Sequence, residues 1–189
     1  MKRKTSVLLA ALAMIALVFY NCTNTTGKSG KTELTVEEVM ANTDSLAGQT
    51  ITVEGVCTHV CAKTGMKLFL QGADGDQSIR VESNSTIGKF DTLAIDQNVR
   101  VVGKLVEDRI TEADVQQMEQ DIENAMAVSH GEGGEGCATE QESEGVAVGS
   151  SEMERVNDFR ARIAERKAKE GKDYLSLYHI AADNYRIIK

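Results

Sequence analysis

Cys57, His59 and Cys61 follow one another at two-residue intervals. Thiolate and imidazole are soft or borderline ligands suited to zinc, copper or haem iron. On a regular strand the three side chains share one face, with neighbours about 6.5 Å apart. That spacing is too wide to set three donors around one ion unless the strand bends, and Gly55 just upstream offers a place for a bend. Further ligands could come from His130, Cys137 or His179, whose positions nothing in the sequence fixes. The plainer reading packs Cys57 inside the fold and makes His59 a hydrogen-bonded structural residue. A Cys57–Cys61 disulfide is a third reading and also needs a kink, because extended Cα atoms four residues apart stand about 13 Å from each other, roughly twice what a disulfide spans.

Catalytic uses of these residues are poorly supplied. A Cys–His dyad needs an orienting Asp, Asn or Glu, and none is visible beside His59. A dithiol oxidoreductase needs Cys-x-x-Cys opening a helix, whereas here the spacing is Cys-x-x-x-Cys inside a strand pattern. The chain is therefore read as a non-enzyme, and no cofactor is implied.

The elements that must position these residues are strands. Residues 49–61 are rich in Thr and Val, with alternation in ITVEGV, and similar runs occupy residues 66–72, 77–83 and 98–109, separated by turns such as Asp74-Gly75. Short strands, two of them interrupted by Gly55 and Gly103, suit a small coiled barrel better than a flat sheet. Thr35 with Glu38 forms a capping-box pattern that opens a short helix over residues 34–47. Residues 111–149 are rich in Asp and Glu and hold no Lys or Arg. Thr111 with Asp114 caps a first helix there, with Val115, Met118, Ile122 and Met126 at helical spacing. Residues 131–149 read as a solvated acidic loop. Ser151 with Glu154 caps a second helix, whose far half is basic and suits pairing with the acidic first. The C-terminal stretch YLSLYHIAADNYRII reads as a strand, a turn and a short strand that packs on the barrel.

The start of the chain carries the address. Lys2, Arg3 and Lys4 precede the apolar run Val7–Tyr20, which has the length of a signal-peptide core and is short for a membrane span. Cys22 follows, and then the polar tether TNTTGKSGKTE. A lone Cys between an apolar run and a polar tether resembles the lipoprotein signal of bacteria, which implies a diacylglycerol on the Cys22 thiol. Phe19, Tyr20 and Asn21 depart from the Leu and small residue usual before that Cys. The layout expected is a signal over 1–22, a tether over 23–33, a barrel core over 34–110, a charged helical hairpin over 111–171 and a C-terminal strand region over 172–189.

Leu46–Cys61, followed by KTGMKLFLQG and VRVVGKLVED, resembles small exported OB-fold proteins of Bacteroidota, described by analogy to the nucleic-acid-binding OB-fold of the tRNA-anticodon and helicase type. The residues that carry the resemblance are Gly55, His59, Val60, Cys61, Gly65, Lys67, Phe69 and Leu70. It implies a five-stranded OB-like barrel with a helical appendage, mainly β in class. A related exported group has a Gly-Cys-Trp step where this chain has Gly65-Met66-Lys67, so that group's metal or redox chemistry does not carry over.

Nucleic-acid binding, the literal sense of that label, is opposed by a formal net charge of -8 and an aromatic content of 4%. Phe69 and Tyr178 are the stacking platforms available, and Arg80, with Arg100, Lys104 and Arg109, the basic strip. Phe69, Arg80 and Tyr178 are thus the candidate ligand surface. The expected partners are a membrane, through a lipid on Cys22 or an uncleaved apolar segment, and an envelope protein or small ligand. The expected role is a membrane-anchored envelope protein facing the periplasm or the cell surface. Metal or haem handling through His59 and Cys61 is the alternative, and a single-stranded nucleic-acid binding module is the second alternative.

Overall fold

In a computed structural model, residues 33–129 and 137–188 are described, with the side chains of 126–129 left aside. Cys22, the signal and tether expectations for residues 1–32, and His130 lie outside the described residues. The elements run β1 (Glu33–Thr35), α1 (Val36–Ala41), α2 (Thr43–Leu46), β2 (Thr50–Val60), β3 (Lys67–Gln71), β4 (Ser78–Glu82), a 3-10 turn (Thr92–Ala94), β5 (Asn98–Thr111), α3 (Glu112–Ser129), α4 (Ala138–Ser143), α5 (Glu152–Glu170) and β6 (Tyr174–Ile188). No helix among the described residues is long and apolar enough to cross a membrane.

The six strands form one mixed sheet, ordered β1-β2-β3-β4-β6-β5, and β2 also pairs with β5. Five strands are therefore hydrogen-bonded in a ring. The pairs β1–β2 and β4–β6 are parallel and the rest antiparallel. Period-two alternation explains the interior. Leu68 and Leu70 of β3, Ile79 and Val81 of β4, and Val99, Val101 and Leu105 of β5 all turn into one apolar cluster with Val53 and Cys57 of β2. α1 closes on this cluster with Val36 and Val39, both fully buried, and its start is fixed by the reciprocal Thr35–Glu38 capping box.

β5 and β6 pair from Asn98↔Ile188 to Thr111↔Tyr174, far beyond the reach of the other strands. β6 is one continuous strand, so the turn expected within the C-terminal stretch is instead a register shift opposite Val102/Gly103, which leaves Asp183 as the extra residue. A bulge keeps the ladder running, and this one lets two long strands coil around the ring. The outer half of this ribbon carries a second apolar cluster, in which Val115 of α3, Val156, Phe159 and Ile163 of α5, and Leu175 of β6 meet. Arg160 of α5 ties Glu112 and Glu119 of α3 at 3.0 and 2.9 Å, which is the expected pairing of a basic with an acidic helix.

The stretch after residue 136 is a second correction. It is not a solvated loop: it contains α4, and Gln141, Glu144 and Val146 are buried. The Gln141 amide donates to the Ser150 carbonyl at 2.6 Å and accepts from the Gly149 N–H at 2.9 Å, which folds the segment back on itself. Glu144 accepts two 2.6 Å hydrogen bonds from Arg155.

Candidate functional site

The pairing of β2 with β3 decides which way the chemically able residues face. Cys57 stands opposite Leu70, and His59 opposite Phe69, so the register slips by one between them. Thr58 is the extra residue. The bend expected at Gly55 lies here instead, since Gly55 itself pairs in register with Val99. A hydrogen at position 55 is required for another reason: a Cβ there would come within 2.8 Å of the Gln71 carbonyl oxygen and 2.9 Å of the Val36 side chain.

The slip breaks the shared face expected for Cys57, His59 and Cys61. Cys57 is fully buried in the ring's core, where burial pushes its thiol up to about 11. Its thiol donates to the His59 carbonyl at 3.6 Å. His59 and Cys61 face the other way and line a cleft of about 670 Å³. The disulfide reading fails with the shared face: Cys57, Cys61 and Cys137 are all free thiols.

Three segments build the cleft. The first is the turn from β2 to β3, closed by hydrogen bonds from the Gly65 N–H to the Cys61 carbonyl and from the Cys61 N–H to the Lys67 carbonyl. Thr64 in this turn hydrogen-bonds to Cys61 through its side chain and backbone, which holds that thiol below its usual range. The second is α4, with Cys137 at its N-cap position making no side-chain cap. The third is the first turns of α5, which contribute Glu152 and Arg155. The Cys137 thiol lies 3.4 Å from His59 Nε2, bringing together two groups 78 residues apart. The Phe69 ring stands behind the imidazole, with centroids 5.9 Å apart.

Charge pins α4 to the sheet. Lys67 of β3 pairs with Glu140, and Arg80 of β4 reaches Glu140 at 3.3 Å and Glu144 at 3.7 Å. Partial burial pushes the Glu140 carboxyl up, but the hydrogen bond and charge of Lys67, with Arg80 and Arg155, outweigh it and hold the group below its ordinary 4.5. A carboxyl depressed in the folded state adds stability above its unfolded value and loses it as the pH falls through the folded one. Acid titration is therefore expected to lower the melting temperature below about pH 4.5, partly through Glu140. In Glu140→Gln that part of the fall should vanish, while stability near pH 7 drops. An unchanged acid limb by circular dichroism would refute the assignment.

The candidate ligand surface does not assemble. Phe69 is fully buried and offers no open ring face. The Arg80 side chain is only 13% exposed, with Glu82, Asp108, Glu140 and Glu144 around it. Tyr178 donates its hydroxyl to Asp44 at 3.0 Å and packs against the ring's core. The basic strip dissolves as well, because Arg100 pairs with Glu33 and Glu54, and Arg109 with Glu107. His179 sits apart from the cleft residues, bonded through Nδ1 to Asp108 at 2.8 Å. Among the described residues, no three His, Cys, Asp or Glu side chains are placed to hold one metal ion.

Nothing in the sequence marks Glu140 or Arg155 as site residues, and Cys137 is a candidate there only as a further ligand of unfixed position. The signal available was local: Ala138, Glu140, Gln141 and Glu142 are good helix formers beside a Gly-rich stretch, which marks an ordered piece within a loop.

No family model matches the chain, and no curated protein matches it. Among solved structures, one match is a Leishmania major Friedlin protein assigned as an aspartyl-tRNA synthetase, at 14% identity and a TM-score of 0.30. The match covers 55% of this chain and 22% of that one, so this chain spans less than a quarter of its length.

Proposed function

We propose that this protein is a non-enzymatic binding module of the bacterial cell envelope, held on a membrane through Cys22, whose strand ring is an OB-like barrel taking a small ligand or a short partner segment in the cleft. The reading of the ring is supported by its order, β2-β3-β4-β6-β5, and by β4–β6 being its parallel pair. OB barrels are five-stranded Greek keys that receive ligands on the face of their second and third strands and at the loops joining strands one to two and four to five. Counting within the ring, the turn at residues 61–66 joins the first two strands, and α3–α5 are inserted between the last two.

The single observation that carries the proposal is that the cleft opens between those two connections, with His59 and Lys67 at the ends of the first hairpin and Cys137, Glu140 and Arg155 on the insertion. Its volume of about 670 Å³ is that of a ligand pocket rather than a packing defect. The burial of Phe69 and the pairing of Arg80 favour a compact ligand or peptide over single-stranded nucleic acid, which needs stacking faces and unpaired cations. Membrane attachment is supported by the basic start, the apolar run and Cys22.

One experiment on the full chain in intact bacterial cells tests both halves. A photo-crosslinking residue at Lys63, which lines the cleft, should give discrete adducts, and the same residue at Asp183, outside it, should not. Labelled fatty acid should mark the wild type, and Cys22→Ser should lose the label and leave the membrane pellet. Absent or equal crosslinking from the two positions overturns the cleft as the binding site. Unchanged labelling of Cys22→Ser overturns the anchor.

A further inference from the structure

The contact between Cys137 and His59 goes beyond binding. We infer that Cys137 is a nucleophilic thiol with His59 as its proton acceptor, and that the cleft captures low-molecular-weight disulfides as mixed disulfides on Cys137. The inference rests on the reading of the cleft as a binding site.

The geometry supplies what thiol–disulfide exchange needs. The Cys137 sulfur stands 3.4 Å from His59 Nε2, within hydrogen-bonding reach for sulfur. The imidazole is backed by the buried Phe69 ring, and its strand is held by the ring ladder, so the acceptor is presented from a rigid element. α4 is held by the Lys67–Glu140 and Arg155–Glu144 pairs, which fixes the thiol's side of the contact. Both groups open onto a cleft large enough for a disulfide the size of a short peptide.

The step balances without a further reactant. The Cys137 proton passes to His59 Nε2. The thiolate then attacks one sulfur of the bound disulfide, forming a new S–S bond as the old one breaks. The other half departs as a thiolate and takes the proton back from His59. Cys137 is oxidised and the released half is reduced. The result is one stoichiometric adduct per chain, so the module needs no turnover to perform it. Tetrahedral acyl chemistry would ask for oxyanion donors beside the thiol, whereas disulfide exchange asks for a thiolate and access.

The other thiols serve as internal controls. Cys57 lies in the core and should not react. Cys61 opens on the same cleft and leans on Thr64 rather than on an imidazole among the described contacts. The Thr64 hydrogen bonds favour the thiolate of Cys61, while assisted deprotonation at the moment of attack favours Cys137. The two therefore separate the proposal from generic thiol exposure.

The test uses the reduced full chain in detergent with oxidised glutathione as the probe, followed by peptide mapping at timed intervals. Cys137 should acquire glutathione at least about tenfold faster than Cys61 at pH 7, and His59→Gln should slow Cys137 by about tenfold while leaving the Cys61 rate unchanged. Preferential labelling of Cys61, or an unaltered Cys137 rate in His59→Gln, overturns the inference. A melting curve guards against unfolding of His59→Gln; if it is shifted, Cys61→Ser, which keeps the dyad, must retain the fast Cys137 rate or the inference falls. Lys63 crosslinking read in Cys137→Ser separates the two proposals. Crosslinks that persist while Cys137 labelling fails refute the thiol chemistry alone, and crosslinks absent from every variant and the wild type refute the binding site.

Discussion

Gly103→Ala is expected to destabilise the fold by about 3 kcal/mol, at the upper end of overpacking losses. Gly103 lies on β5 where the register against β6 shifts. A Cβ at this position would run into the Ala181 carbonyl oxygen, stand 2.8 Å from the Ile180 side chain and 2.9 Å from the Ala182 Cα. Two of those three neighbours are backbone, so no rotamer change can make room. The added methyl must push β6 away along the ladder that closes the ring. Gly88→Ala is the control. Gly88 has a left-handed φ of 72° but open space around its Cα, so its loss is the conformational strain alone, about 1–2 kcal/mol. Urea unfolding of both variants checks the pair. Equal losses would mean that the close approach of β5 and β6 does not constrain the ring.

Arg155→Met is expected to cost about 3–5 kcal/mol, because it strands a buried charge. The Glu144 side chain is 4% exposed and accepts both of its 2.6 Å hydrogen bonds from Arg155. Arg80 is the next cation, at 3.7 Å, beyond hydrogen-bonding distance. Glu144 also sets α4, since its backbone carbonyl accepts from Arg162 at 2.7 Å. Breaking the pair from the arginine side should therefore loosen the insertion and widen the cleft, with faster amide exchange across residues 137–149 than across β2–β4. Removing both charges, as Arg155→Met with Glu144→Leu, should recover most of the loss, because a buried pair and a well-packed apolar pair are close in free energy. A double variant no more stable than the single one would show that the pair's cost of burial has been misjudged.

The strands were legible because alternation of Thr, Val, Ile and Leu with polar residues is a local signal, and β4 and the first half of β5 follow it closely. So were the helix starts: Thr35 with Glu38, Thr111 with Asp114 and Ser151 with Glu154 each make the reciprocal hydrogen bonds that the residue types suggest. What was illegible depends on partners distant in sequence. The slip at Thr58 is a property of the β2–β3 pairing, and no residue type in CTHVC announces it. It turned the expected Cys57–His59–Cys61 row into one thiol in the core and an imidazole and thiol outside. The bulge at Asp183 likewise belongs to the β5–β6 pairing, and an Asp-Asn sequence read alone suggests a turn. Composition misled at residues 137–149, where acidic residues normally signal solvent; here Lys67 and Arg80, from strands far along the chain, and Arg155, from the next helix, compensate them. Phe69 shows the same limit from the apolar side. Its strand neighbours Leu68 and Leu70 point inward, so alternation places it outward, yet it is fully buried with the His59 ring 5.9 Å away.

The extended β5–β6 ribbon should also set the order of events when the chain folds. Its far ends, Thr111 and Tyr174, are separated by the whole of residues 112–173, and pairing them must first meet the entropy of closing that loop. The insertion shortens the effective loop before the ladder begins. α3 and α5 find each other through Phe159 and Arg160, contacts nearer in sequence than most of the ring's closing pairs. Once they dock, the two ribbon ends are neighbours and the ladder can zip toward Asn98 and Ile188. The insertion that walls the cleft is thus expected to form before the ring closes, so φ-values should be higher at Phe159 than at Val99.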